Sequence, residues 1–153
     1  MPTLLIVSHQ PSENTRALTQ AVLRGARSPE IHGVEVRLLQ PLDCGAPDVE
    51  RADGLILGTT ENFGYMSGAL KDFFDRVYYP LQGRTVALPW SLFIRAGNDG
   101  QGARSSIERI VKGLRWKQVQ EPLVCRGPWQ DGWLADCEEL GMTMAAGLEA
   151  GVF

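Results

Sequence analysis

Three times along this chain a short apolar run breaks into a polar loop and then into a helical repeat of apolar positions. Thr3 to Ser8 leads to Ala17, Leu18, Ala21, Val22 and Leu23. Ala52 to Gly58, with Leu55-Ile56-Leu57 in its middle, leads to Leu70, Phe73, Phe74 and Val77. Arg84 to Ala96, interrupted by Pro89, passes through Gly97-Asn98-Asp99-Gly100-Gln101-Gly102 to Ser106, Ile107, Ile110, Val111 and Leu114. Apolar runs this short suit strands buried on both faces, and their alternation with helices calls for a parallel sheet covered on each side. Val34 to Leu39 sets its apolar residues against Glu35 and Arg37, which predicts an edge strand that Pro41 stops. Val119 to Cys125 predicts a fifth strand and Trp133 to Leu148 a closing helix. The expectation is one α/β domain over residues 1–153, a three-layer sandwich around a five-stranded parallel sheet with right-handed crossovers and about five helices.

With 153 residues the chain has the common size of one domain and enough length to bury a substantial core. Hydrophobic content of 44% and charged content of 22% place it among globular chains. A net charge of −3 is too mild to point to nucleic acid or an anionic membrane as partner. Thr3 to Val7 is too short to span a bilayer and lacks the basic flank of a secretory leader, so a cytoplasmic location is expected. Cys44, Cys125 and Cys137 form no C-x-x-C pair, and His9 and His32 are the only histidines, so no metal site is expected. Neither a G-x-G-x-x-G nor a Walker lysine loop follows the first strand.

For five strands in order 2-1-3-4-5, ligands bind where the connections after strands one and three diverge. The loop after strand one offers Ser8, Gln10, Ser12, Asn14 and Thr15, whose hydroxyls and amides, with the amides of a helix N-terminus, suit a phosphate monoester. The same residue types are also ordinary helix caps. The loop after strand three offers Thr60, Glu61, Asn62, Phe63, Gly64 and Tyr65, a mixture of backbone donors and flat aromatic faces that suits a planar heterocycle. Packing explains Phe63 and Tyr65 as well. Gly97, Asn98 and Gly100 can let backbone approach the same ligand from strand four, or form a plain turn.

With these loops placed, the chain resembles the flavodoxin-like superfamily, in particular the NADPH-dependent FMN reductases and the tryptophan-repressor-binding-protein type of NAD(P)H:quinone oxidoreductase. Gly58 to Arg76 is similar to the family stretch G-T-P-x-x-F-G-N-M-S-G-x-L-K-x-F-x-D-R, matching at Phe63, Gly64, Met66, Ser67, Gly68, Leu70, Lys71, Phe73, Asp75 and Arg76. Ser12, Asn14 and Thr15 resemble the family's phosphate loop. Thr60, Asn62, Tyr65, Gln10 and Glu13 depart from the pattern. The resemblance implies a flavodoxin-like fold, noncovalent FMN, NAD(P)H as reductant and a quinone, flavin or similar small molecule as acceptor. It implies a homodimer or homotetramer, and no side chain as a required acid or base. A flavodoxin-type electron carrier and a cofactor-free binding module are the alternatives.

Overall fold

Alternate side chains of the central strands point to opposite faces of one sheet and build two separate cores. The computed structural model describes residues 1–153. Its strands are β1 (Thr3–Ser8), β2 (Glu35–Leu39), β3 (Gly54–Asn62), β4 (Tyr65–Met66), β5 (Pro89–Ala96), β6 (Lys117–Gln118) and β7 (Leu123–Arg126). The helices are α1 (Glu13–Ala26), α2 (Ala46–Glu50), α3 (Gly68–Leu81), α4 (Gln101–Leu114) and α5 (Gly132–Ala150). Leu5, Val7, Leu55, Leu57, Trp90, Leu92 and Ile94 face α2, α3 and α4, where they meet Phe73, Phe74 and Ile107. Leu4, Ile6, Ile56 and Phe93 face α1 and α5 and meet Leu18, Val22, Leu140 and Met144. Burying a phenylalanine such as Phe73 or Phe74 stabilises by about 2–3 kcal/mol each, so the period-two pattern fixes the register.

The sheet order is β2-β1-β3-β5, with β6 and β7 both parallel to β5 on its far side. This is the expected 2-1-3-4-5 order of a flavodoxin-like fold, its last position filled by two pieces. Gln118 pairs with Trp90 and Leu123 with Phe93, so Val119 to Pro122 set four residues against Ser91 and Leu92. The extra residues bulge out, and Pro122 has no N–H to donate. The single strand expected over Val119 to Cys125 is therefore corrected: only Leu123 to Cys125 of that span pair in β7, and the two-residue β6 precedes it. The expected strand from Arg84 is also shortened: Arg84 to Leu88 forms turns, with Ala87 at φ 67°, and pairing begins at Pro89. The half-buried β2 lies at the edge its alternation predicts.

The Lys-Asp-Arg part of the Gly58 to Arg76 stretch has a structural use. Arg76 donates from Nη1 to the Cys44 carbonyl at 2.9 Å and from Nη2 to the Pro41 carbonyl at 2.8 Å, while its Nε meets Asp72 at 2.6 Å. That guanidinium ties α3 to the turn after β2. Lys71 and Asp75, one helical turn apart, pair at 2.7 Å. On the opposite face α1 and α5 approach closely, since a Cβ on Gly25 would overlap the Glu138 carbonyl and one on Gly141 the Val22 carbonyl. No helix is long and apolar enough to cross a membrane.

Candidate functional site

The loops after β1, β3 and β5 leave the carboxyl ends of adjacent strands, where the topology opens a crevice. β1 and β3 run in register to Ser8 opposite Gly58, and the His9 amide continues the ladder to the Gly58 carbonyl at 3.0 Å. Ser8 then turns inward. Its buried hydroxyl meets Thr19 Oγ1 at 2.8 Å, which makes it part of the packing beneath the loop and not an open donor.

Ser12 is the N-cap of α1. Its Oγ accepts from the Thr15 amide at 3.2 Å, and Thr15 Oγ1 accepts from the Ser12 amide at 2.9 Å. This reciprocal box commits both hydroxyls to the helix end. What it leaves open are the amides of Glu13 and Asn14, which have no intramolecular acceptor. Gln10 is half-buried, whereas Glu13 and Asn14 are exposed. The first loop therefore presents a helix N-terminus with two free N–H groups, the form of an anion site.

The stretch that reads as a polar loop after strand three is in fact a continuation of β3 folded into a hairpin with β4, pairing Glu61 with Met66 and Asn62 with Tyr65. Phe63 at φ 54° and Gly64 at φ 70° form the two-residue turn, a type I′ geometry that matches strand twist. Asn-Gly is the usual signature of that turn, so Phe63 concealed it. The Phe63 ring stands wholly in solvent, and Tyr65 is 42% exposed. The Phe63 and Gly64 amides lie outside the ladder and have no partner. Thr59 braces the hairpin base, its Oγ1 accepting from the Ser67 amide at 3.0 Å and donating to the Thr60 carbonyl at 2.8 Å.

Gly97 and Asn98 are exposed, and a Cβ on Gly97 would meet nothing within 4 Å, so this backbone borders open space. Gly100 differs: it is buried at φ 72°, and a Cβ there would crowd Val124, so fold geometry alone demands it. Arg95, at the carboxyl end of β5, donates to the Ala96, Cys125 and Gly127 carbonyls at 2.8–3.1 Å and lies 4.8 Å over the Trp133 ring. Thr59 and Arg95 carry no mark of a site role in the sequence, and His9 reads there as a polar residue of the first loop. A charged residue closing an apolar strand was the one available signal for Arg95.

Two buried polar atoms at this end of the sheet lack any partner, His9 Nδ1 and Thr60 Oγ1. Burial holds the His9 imidazole below the ordinary histidine range. No three metal-ligating side chains converge. The three thiols are all buried away from the crevice: burial, with the Asp48 carboxylate nearby, pushes Cys44 up to about 12, while the contact between Cys125 and Cys137 lowers the first and, with burial, raises the second.

The crevice thus combines a helix-terminal anion site, an exposed aromatic hairpin and unpaired donors on adjacent strand ends. Residues 2–124 match the family model described as NADPH-dependent FMN reductase. The chain belongs to that family. Among its relatives is a flavodoxin of Aquifex aeolicus (strain VF5), 35% identical over 114 residues, which are 74% of this chain and 60% of the relative. The chain thus spans less than two thirds of that flavodoxin's length. An archaeal flavodoxin structure superposes with a TM-score of 0.80 at 19% identity, covering 95% of this chain and 98% of the other. A flavodoxin, WrbA-like protein from Agrobacterium tumefaciens gives 0.75 at 15% identity, covering 95% and 96%. These two likenesses establish the flavodoxin-like fold of this FMN reductase family member.

Proposed function

We propose that the protein binds FMN noncovalently and passes reducing equivalents from NAD(P)H to a quinone, flavin or similar small acceptor. The observation that carries this reading is the set of unpaired polar groups that meet at this end of the sheet: the amides of Glu13 and Asn14 at the start of α1, His9 Nδ1 and Thr60 Oγ1. Each is a group that folding has left without a partner, and a phosphate-bearing ligand supplies acceptors. The Glu13 and Asn14 amides, aided by the α1 dipole, would hold the phosphate. Asn62 to Tyr65 would hold the ring, with Phe63 or Tyr65 against a face and the Phe63 and Gly64 amides toward polar ring atoms. Gly97 and Asn98 would border it from the other side. Bound there, FMN supplies the hydride and electron chemistry. The chain's own part is to bind, orient and tune, and no side chain is required as acid or base. Homo-oligomerisation belongs to the same reading.

Purified protein titrated with FMN, followed by NADPH oxidation with a quinone acceptor, tests the proposal. Saturable binding with turnover is expected. Binding without turnover favours the second reading, an electron carrier, which the flavodoxin relative supports. No binding at all favours a cofactor-free module.

A further inference from the structure

The sheet divides the three free thiols between its two cores. Cys44 belongs to the core that holds Leu5, Val7 and Phe73, beneath α2, α3 and α4. Cys125 and Cys137 belong together to the core on the other face, with Ile6, Phe93 and Met144. Cys44 turns its thiol to the Gly45 carbonyl at 3.9 Å, whereas neither sulfur of the pair engages a backbone group.

Register brings Cys125 and Cys137 to each other. Cys125 on β7 lies opposite Arg95 on β5, so the two side chains leave the same face of the sheet toward α5. Cys137 stands one helical turn after Trp133, which places both on one side of α5. Arg95 lies 4.8 Å over the Trp133 ring, and one turn further on the Cys137 thiol donates to the Cys125 sulfur. That donated bond, with the Arg95 guanidinium nearby, favours the thiolate on Cys125 against burial and the Asp136 carboxylate, and it keeps the proton on Cys137.

A sulfur inclined to ionise beside a protonated one is the arrangement of an attacking and a resolving thiol. Both are fully buried, so an oxidant reaches them only when the fold opens locally. The start of α5 is suited to open. Asp131 stands at its N-cap but makes no capping bond, because its Oδ1 accepts from Trp129 Nε1 at 2.8 Å instead.

We propose that Cys125 and Cys137 form a peroxide-responsive dithiol that closes to an intramolecular disulfide, joining β7 to α5 around residues 126–136. The Cys125 thiolate attacks one oxygen of hydrogen peroxide and expels hydroxide, which takes up the proton that Cys125 gave. The Cys137 sulfur then attacks the sulfenic acid left on Cys125, and its own proton leaves with the sulfenic hydroxyl as water. Two electrons pass from the sulfurs to the peroxide, which ends as two waters. No step involves a flavin, so the inference stands apart from the reading above. The linked form should melt at a higher temperature, because the closed segment restricts the unfolded chain.

The test adds dilute hydrogen peroxide to reduced, folded protein, removes it with catalase, and then alkylates in denaturant before peptide mass mapping. The expected result is alkylation at Cys44 alone and a Cys125–Cys137 linked peptide lighter by two hydrogens, with dithiothreitol restoring all three thiols. Cys44→Ala should leave the link unchanged, and Cys137→Ser should stop at a dimedone-reactive sulfenic acid on Cys125. Three alkylated thiols after peroxide, a link that includes Cys44, or a Cys125–Cys137 link that forms only in unfolding urea overturns the proposal. Those three outcomes are read on the unaltered chain and do not depend on how the variants fold.

Discussion

Gly102 at the start of α4 lies so close to Gly64 in the hairpin turn that a Cβ on Gly102 would overlap the Gly64 carbonyl oxygen. The helix after β5 thereby sets the height of the turn after β3, and two of the three crevice walls are one mechanical unit. Gly102→Ala is expected to destabilise the fold by about 1–3 kcal/mol, because backbone has to move to admit the methyl group. It should weaken FMN binding as well, since the hairpin moves with it. Denaturant unfolding with and without FMN measures both, and unchanged values of each would show that the hairpin position is not set by this contact.

Phe63 holds a left-handed backbone with its ring fully in water, an arrangement that neither local propensity nor burial favours. Asparagine accepts that conformation more readily and makes the usual Asn-Gly pair with Gly64. Phe63→Asn should therefore raise stability by about 1 kcal/mol. FMN affinity should fall by about three- to tenfold, as an aromatic face is lost. A Tm that rises while affinity drops is the expected pair of results. If affinity is unchanged, the ring does not touch the flavin.

Much of this architecture is legible in the residues because burial has a period. Leu4 and Ile6 against Leu5 and Val7, or Phe73, Phe74 and Val77 on one helix side, reveal strand, helix and buried face before any coordinates. What is concealed depends on contacts between distant segments. The type I′ turn hides behind a phenylalanine, and the split of the last strand depends on Val119 to Pro122 having too many residues for their partners. Ser8 has the chemistry of a phosphate donor but meets Thr19, a bond that only the packing of α1 on β1 creates. Ser12 and Thr15 could be read as caps or as phosphate ligands, and the fold spends both hydroxyls on the cap.

That division predicts different outcomes for neighbours in the first loop. Thr15→Ala removes the half of the capping box in which Thr15 Oγ1 accepts from the Ser12 amide, keeps the half donated by its own backbone amide, and should cost about 1 kcal/mol of stability. Asn14→Asp keeps the box and places a negative charge at a helix N-terminus, which leaves stability unchanged or raised by a few tenths of a kcal/mol. The same charge repels a phosphate, so FMN affinity should fall at least about tenfold in low salt and by less in high salt. Thermal melts and flavin titrations at two ionic strengths measure the contrast. An Asn14→Asp variant that binds FMN normally would remove the phosphate from this loop.

His9 connects the crevice to pH. Burial disfavours the charged imidazole, so its folded pKa lies below the unfolded value of about 6.5. As pH falls, the unfolded chain takes up the proton first. The His9 contribution to stability is therefore present above pH 6.5 and is lost as pH falls from there through the folded pKa. Denaturation curves across this range should show a steeper loss for the unaltered chain than for His9→Asn, and the difference isolates His9 from His32. A phosphate held near the unpartnered Nδ1 would favour the imidazolium and shrink that difference, so saturating FMN should flatten the profile. Superimposable profiles for the two chains without FMN would show that His9 is not desolvated, and a difference that FMN leaves untouched would place the phosphate away from it.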